Sequence, residues 1–221
     1  MKTHHALLLD TETIGLEKPF VYDLSFIVIR YDEKEKIYKE VSKHAFVIKQ
    51  IYNNKPLFNT AYYANKRPIY TSKLRGKKAK QKHFGHTLRL IKSIMKQYDI
   101  KRVYAYNSDF DRGAIAFTSK FFGTQNPFDK ITFYDLQGIA NKYIHTVKRY
   151  QEYCKENNLL TPKRFYKGTA ETTYQYIMGK PDFVESHVGI EDCEIELRIL
   201  NNSLYRGYDF KYHKKRLIKA V

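Results

Sequence analysis

The sequence predicts an α/β protein in which helices cover a mixed β-sheet. The first 48 residues contain three successive segments rich in apolar, β-branched and aromatic residues, which is typical of neighbouring antiparallel strands. Two more short strand patterns follow at 102–107 and 131–134, and apolar residues at helical spacing surround them. Strands that alternate with helices indicate a parallel part of the sheet. We therefore expect five strands, an antiparallel meander of strands 1 to 3 followed by parallel strands.

The three opening strands are predicted at His5–Glu12, at Tyr22–Tyr31 and within Ile37–Ile48. The first is an apolar run that ends in polar residues, which is the pattern of a buried central strand. The charged stretch Asp32–Lys36 suits a hairpin turn between the second strand and the third. The chain is thus expected to open with a β-meander.

Apolar residues recur at helical spacing in the later part of the chain. We expect helices at 84–98, 109–122, 143–154, from 169 onward, and 190–204. In the last of these, Asp192 lies at the edge of a broad apolar face. A carboxylate in that place is costly unless a cation or hydrogen bonds match its charge.

The segment 49–82 is more polar and more basic than its flanks, and we interpret it as an insertion. A short helix is expected at Pro56–Ala64 and a loop at Asn65–Lys82. The basic run Lys73–Lys80 could follow the phosphates of a nucleic-acid strand, or it could be a solvated loop. Nearby tyrosines could stack on bases, namely Tyr62, Tyr63 and Tyr70. The basic tail 207–221 has the same two interpretations.

Composition narrows the class of protein. Apolar residues make up 43% of the 221 residues and aromatic residues 15%, which is enough for a core and argues against a disordered chain. Lysine and arginine number 40 against 23 acidic residues, so the net charge is +17. This excess favours a polyanionic partner, nucleic acid in particular, although a lysine-rich composition alone would give the same charge.

Cysteine content and hydropathy point to the cytoplasm. The two cysteines, Cys154 and Cys193, fall on apolar helix stripes, where a reduced buried thiol is usual, and they form neither a disulfide framework nor a CxxC metal site. No apolar run approaches the length of a membrane span, and the N-terminus lacks the pattern of a secretory signal. We expect a cytoplasmic protein without membrane contact.

Asp10 and Glu12 form the first candidate site motif. Residues i and i+2 of a strand point to the same face, so the two carboxylates would converge at the end of the first strand. Their like charges would repel unless a divalent cation lay between them. A solvated strand end is the structural alternative for this motif alone.

A second motif, Asn107–Asp111, begins where a strand ends and a helix starts. Asp111 would lie in the first helical turn, and Asp109 could be the N-cap, which would explain one of the two acids structurally. Phe110 would anchor the turn in the core.

The third motif, His187–Asp192, places a histidine just before a helix that carries an inward carboxylate. A histidine with a pKa near neutrality is suited to accept a proton from water. A surface position is the structural alternative for any single histidine.

In this order the three motifs resemble the DEDD superfamily of exonucleases, in its branch with a histidine in the last motif (DEDDh), which includes proofreading epsilon-type subunits and phage and bacterial exonucleases. The family's N-x-x-F-D pattern selects Asp111 rather than Asp109, and its H-x4-D pattern selects His187 and Asp192. The resemblance covers most of the chain. It implies a ribonuclease H-like fold and a single exonuclease domain at 1–206. Two departures are Tyr106 before the middle asparagine and the stretch 52–82, which replaces an H-G-I segment.

The resemblance also implies a mechanism with two Mg²⁺ or Mn²⁺ ions about 3.5–4 Å apart. Asp10 would bind both ions, Glu12 and Asp192 the first, and Asp111 the second. His187 would act as general base, and the products would be nucleoside 5′-monophosphates. The expected substrate contacts are Thr11, Thr13, Leu16, Asn107 and Phe110.

Substrate and partners follow from the same resemblance. The chain is more similar to phage-type and proofreading members than to oligoribonucleases, so we favour DNA over RNA and include polymerase or replication proteins as possible partners. The alternatives are an exoribonuclease and a non-catalytic nucleic-acid-binding or polymerase accessory module. A non-catalytic member would be expected to lack a metal ligand, whereas all five motif positions are intact.

Overall fold

The computed structural model describes residues 4–215 and 218–220. Residues 1–3 of the predicted domain at 1–206, and residues 216, 217 and 221 of the predicted tail at 207–221, lie outside the described residues. The strands are β1 (His5–Thr13), β2 (Val21–Asp32), β3 (Ile37–Ile48), β4 (Lys80–Lys82), β5 (Arg102–Ala105) and β6 (Thr132–Asp135). The helices are α1 (Lys49–Tyr52), α2 (Lys55–Phe58), α3 (Arg67–Arg75), α4 (Phe84–Gln97), α5 (Ser108–Phe121), α6 (Leu136–Ala140), α7 (Lys148–Glu156), α8 (Ala170–Met178) and α9 (Gly189–Tyr205).

All six strands belong to one mixed sheet in the order β4-β3-β2-β1-β5-β6. β1, β2 and β3 form the predicted antiparallel meander, and β5 and β6 add parallel strands beside β1. The predicted class of fold is therefore confirmed. The central strand β1 is buried on both faces, with Leu7 and Leu9 in one core and Ala6 and Leu8 in the other, which explains its continuous apolar run.

The expected number of five strands is wrong, because β4 pairs in parallel with the end of β3. This strand consists of Lys80, Gln81 and Lys82, which are exposed or half-buried at the edge of the sheet. A short edge strand needs no apolar alternation, and charged residues protect such an edge from pairing with other chains. The sequence therefore carries no hydrophobic pattern that would predict β4.

The segment 65–82 is also not the loop that we expected. Pro68 stands in the first turn of α3, where its missing N–H costs nothing, and Tyr70 is buried on the inner side of this helix. The helix predicted at Pro56–Ala64 is present only as the short α2.

The predicted helices at 84–98, 109–122, 169 onward and 190–204 are confirmed as α4, α5, α8 and α9. The helix predicted at 143–154 is interrupted. A π-helical turn, Asn141–His145, comes first, and α7 begins at Lys148. His145 is buried in this turn and bonds to the side chains of Asn141 and Thr173, which accounts for the change in helical geometry.

The two faces of the sheet bury different layers. Leu7 and Leu9 of β1 belong to the core that includes α4, α5 and the insertion. Ala6 and Leu8 point to the opposite face, where α6 and α9 pack. Because side chains alternate along a strand, the even-numbered residues Asp10 and Glu12 lie on the α9 face. Within the described ranges, no helix has the length and hydropathy needed to cross a membrane.

Candidate active site at the carboxyl end of β1

Asp10 and Glu12 come at the carboxyl end of β1, opposite Ser25 and Asp23 of β2. Both acids are half-buried. The neighbouring β5 runs parallel to β1, so the residues that follow β5 reach the same edge of the sheet. The sheet topology thus brings the first motif and the second together.

Asp111 lies in the first turn of α5 and is only 3% exposed. Its Oδ1 accepts two hydrogen bonds from Thr11, one from the backbone N–H at 2.9 Å and one from the hydroxyl at 2.8 Å. The expectation that Asp109 is the N-cap of this helix is wrong, and its side chain is exposed. That place belongs to Asn107, whose φ of 63° lies in the left-handed region and turns the chain from β5 into α5.

The third motif reaches the site through the amino end of α9, which packs very closely on β1 and β2. A Cβ atom at Gly189 would lie 3.0 Å from the Ser25 Cβ and 3.1 Å from the Asp10 Oδ2. Only glycine allows this approach without displacement. Asp192, in the same first turn, is 4% exposed and points into the site.

The three motifs therefore converge. Ligand atoms of Glu12, His187 and Asp192 all lie within 4.8 Å of one another. These residues and Asp10 line one cavity of about 310 Å³, and Asp111 lies next to its lining residues, against Thr11. The other residues that line the cavity are Tyr106, Asn107, Gln137, Thr169, Ala170, Glu185, Glu196 and Lys215.

The carboxylates of this cavity repel one another. Burial, and then the charges of Asp192, Asp111 and Glu12, raise the pKa of Asp10 well above its usual range. Burial likewise raises the pKa of Asp111, although the two hydrogen bonds from Thr11 oppose the shift. For Glu12, burial and the charge of Asp192 raise the pKa. Binding of a cation would therefore relieve the repulsion between these carboxylates.

His187 has the opposite shift. Burial and the nearby Lys66 lower the pKa of its imidazole, while Glu171 opposes the change. The imidazole is thus neutral near pH 7 and can accept a proton. Its backbone φ of 52° lies in the left-handed region, a strained conformation that is common at functional sites.

The residues fit a divalent metal ion. The Asp10 Oδ2 and the Asp192 Oδ1 are buried and have no hydrogen-bond partner among the described residues. Buried carboxylate oxygens without a partner are costly, and a bound cation would remove that cost. Several carboxylates with an imidazole form an oxygen-rich donor set of the kind that Mg²⁺ and Mn²⁺ accept.

The expected substrate contacts lie around the cavity in different environments. Asn107 lines it, and Phe110 is half-buried in the adjacent turn. Thr13 donates its hydroxyl hydrogen bond to the Gly15 carbonyl, and Leu16 is 83% exposed just beyond β1. The Thr11 hydroxyl is used by Asp111, so this side chain orients a candidate metal ligand. Their contacts with a substrate remain predictions.

Several residues at the site have no counterpart in the sequence motifs. Glu185, Glu196 and Lys215 line the cavity, and the ring of Tyr63 stacks on His187. Asp23 accepts hydrogen bonds from Ser25, Tyr70 and the Gly189 N–H. The expectation that Tyr70 stacks on bases is therefore wrong, because this side chain is 1% exposed and bonds to Asp23. Glu196 has a signal in the sequence that points to the site itself, as a second acid on the α9 pattern one turn after Asp192.

Solved structures of exonuclease I contain a part with the same fold as this chain. The Escherichia coli enzyme in complex with a dA16 oligonucleotide matches with a TM-score of 0.55 and 13% identity, over 92% of this chain and 41% of that chain. The zinc-bound E. coli complex with single-stranded DNA gives a TM-score of 0.55 and 14% identity, over 93% and 41%. A product-bound exonuclease I gives 0.58 and 13%, over 90% and 42%.

The comparison confirms the ribonuclease H-like fold. This chain spans about two fifths of the length of the exonuclease I chains. No protein-family model matches the sequence, and no curated protein matches it either.

Proposed function

We propose that this chain is a metal-dependent 3′→5′ exonuclease that acts on single-stranded DNA and releases nucleoside 5′-monophosphates. The observation that carries the proposal is that Asp10, Glu12, His187 and Asp192 line one cavity at the edge of the sheet, while Asp111 bonds to Thr11, the residue between the first two acids. The shared fold with exonuclease I supports it.

Each residue would have a distinct role. Asp10, Glu12 and Asp192 would hold one divalent ion, and Asp10 with Asp111 would hold another. Mg²⁺ or Mn²⁺ bound in this way would supply an activated water and stabilise charge on the leaving 3′ oxygen. His187, neutral near pH 7, would accept the proton of the attacking water.

Single-stranded DNA is the substrate that we favour. The matching exonuclease I structures include complexes with single-stranded DNA and a dA16 oligonucleotide, and the net charge of +17 suits a polyanion. Residues 1–206 would form the exonuclease domain, with the insertion at 49–82 and the tail at 207–221 as additions to it. Polymerase or replication proteins are possible partners. An exoribonuclease and a non-catalytic binding module are the competing functions.

One experiment separates these functions. A 5′-labelled DNA strand, the same sequence as RNA, and a strand with a blocked 3′ end are incubated with the protein and Mg²⁺. We expect a ladder that shortens from the 3′ end of the DNA, no cleavage of the blocked strand, and slower cleavage of RNA. Asp192→Asn should abolish the ladder, whereas Asp109→Asn, a change of an exposed acid two residues before Asp111, should preserve it. If the protein binds the DNA strand but cleaves none of the substrates, the proposed enzymatic activity is wrong and the non-catalytic binding module is favoured.

A further inference from the structure

Glu196 is a fifth carboxylate on the wall of the candidate site. It lies on α9 four residues after Asp192, hence on the same side of the helix one turn further along. Its side chain is 2% exposed and lines the cavity together with Asp10 and Asp192. A glutamate so deeply buried is rare unless its charge is matched.

Only one of the two oxygens of the Glu196 carboxylate has a hydrogen-bond partner among the described residues. The Oε1 accepts a hydrogen bond of 3.2 Å from the Tyr106 N–H at the end of β5. The Oε2 is buried and has no hydrogen-bond partner among the described residues. No ion pair within residues 4–215 and 218–220 involves Glu196. A residue needed only to accept the Tyr106 N–H would not require a second acidic oxygen.

The position of Glu196 assigns it to one side of the cavity. Its bond to Tyr106 places it beside the β5–α5 junction, from which Asp111 projects. The group of close ligand atoms found among the described residues, that of Glu12, His187 and Asp192, includes neither Glu196 nor Asp111. On the Asp111 side, the expected ligands are fewer, because Asp10 and Asp111 alone would hold that ion.

We propose that Glu196 helps to hold the divalent ion on the Asp111 side, with its free Oε2 directed at the ion or at a water bound to it. This inference rests on the proposed function and extends its ligand set by one carboxylate. An extra negative charge near this ion increases its affinity, since the affinity of oxygen sites for hard cations follows the number and charge of their ligands. The consequence is a site that fills both positions at lower concentrations of Mg²⁺ or Mn²⁺.

The test measures metal binding on the full chain without nucleic acid. Isothermal titration calorimetry with Mn²⁺ is done on the wild type, on Glu196→Gln and on Glu194→Gln. Glutamine keeps an oxygen for the Tyr106 N–H but removes the charge. Glu194 lies two residues away on the exposed side of the same helix, paired with Lys43, and is the matched control. Asp10→Asn is included as a variant of an expected ligand to both ions.

We expect two bound ions in the wild type and in Glu194→Gln. In Glu196→Gln, the affinity for the weaker ion should fall about 10- to 100-fold, while the affinity for the tighter ion stays unchanged. Asp10→Asn should weaken both. A Mg²⁺ titration of single-strand cleavage should shift by a similar factor in Glu196→Gln and stay unchanged in Glu194→Gln.

Two results would overturn the inference. If Glu196→Gln binds both ions as the wild type does while Asp10→Asn does not, Glu196 is structural and the proposed function stands. A lower melting temperature of metal-free Glu196→Gln with unchanged Mn²⁺ affinity has the same meaning. If the wild type binds no divalent ion, the proposed function and the role of Glu196 fail together.

Discussion

The ring of Tyr63 stacks on the imidazole of His187, with ring centroids 4.1 Å apart and an angle of 15° between the planes. Tyr63 belongs to the insertion, whereas His187 comes from the loop before α9, so the insertion covers the candidate general base. The stack fixes the plane of an imidazole whose backbone is strained. We infer that the insertion would hold His187 in place for its proposed role as general base.

Replacing Tyr63 should therefore affect turnover more than binding. Tyr63→Ala removes the stack and should lower kcat about 10- to 100-fold, because small errors in the position of a catalytic group are costly. Tyr63→Phe retains the ring and should be close to the wild type. Tyr205→Ala, a change of an exposed tyrosine at the end of α9, is the control. Single-turnover cleavage and DNA affinity are measured separately. An equal loss in both would indicate a role in strand binding instead.

Metal-free stability should fall as the pH rises from about 6.5 to 9. Burial and then neighbouring carboxylates raise the pKa of Glu12 to about 9 and that of Asp192 to about 8, above the ordinary values of 4.5 and 3.8. The folded chain thus binds more protons than the unfolded chain over this window, and the free energy of unfolding falls with rising pH until the folded carboxyls have ionised. Below pH 6.5 the trend is opposed by His145, whose pKa is lowered to about 3 by burial.

The measurement is urea unfolding at several pH values, in chelator and in saturating Mg²⁺. Bound ions favour the charged carboxylates, so Mg²⁺ should flatten the pH dependence and stabilise the protein most at high pH. Asp192→Asn should be more stable than the wild type in chelator and gain less from Mg²⁺. Equal slopes with and without Mg²⁺ would contradict the metal site.

Much of this site could be predicted from the sequence because its motifs sit at ends of regular elements. Asp10 and Glu12 end an apolar strand, Asp111 starts a helix, and Asp192 lies on an apolar stripe, so period and position make them candidates. The choice of Asp111 over Asp109, and of His187 with Asp192, rests on the resemblance to the DEDDh pattern. The metal roles of these residues are still predictions. Tyr63, by contrast, reaches His187 through an irregular segment of short helices, and its contact across 124 residues leaves no periodic pattern.

The remaining differences have physical causes of the same kind. β4 is a three-residue edge strand without apolar residues, and its pairing with β3 depends on the course of the insertion. His145 bonds to Asn141 and Thr173, and only the second of these contacts is distant in sequence. Tertiary contacts therefore override the local helical spacing at 143–154.

Lys215 brings a positive charge from the tail to the cavity. Its Nζ donates a 3.1 Å hydrogen bond to the Asn107 Oδ1, and it is the one lysine or arginine among the lining residues within the described chain. A phosphate of the bound strand would be attracted to this position. Lys215→Ala should weaken single-strand binding and reduce the slope of log affinity against log salt by about one.

The binding is measured by fluorescence anisotropy with Ca²⁺ in place of Mg²⁺, over a range of salt concentrations. Lys101→Ala is the matched control. Lys101 is exposed just before the amino end of β5, whereas the cavity lies at the carboxyl end, and it pairs with Asp99. If both variants lose the same affinity, the effect comes from net charge, and Lys215 has no specific contact with the strand.

The hydroxyl of Tyr70 connects the insertion to the candidate site. It donates a 2.8 Å hydrogen bond to the Asp23 Oδ2, which also accepts the Gly189 N–H at 3.1 Å. Tyr70→Phe should cost about 1–3 kcal/mol of unfolding free energy, because it leaves a buried carboxylate with one donor fewer. Tyr153→Phe is the control, since its buried hydroxyl has no partner among the described residues, and its cost should stay within about 0.5 kcal/mol. Urea unfolding in chelator gives both values. Gly189 holds α9 against Asp10, so Tyr70→Phe should also weaken Mn²⁺ binding. If the variant loses stability but keeps its metal affinity, Asp23 anchors the insertion without positioning the carboxylates.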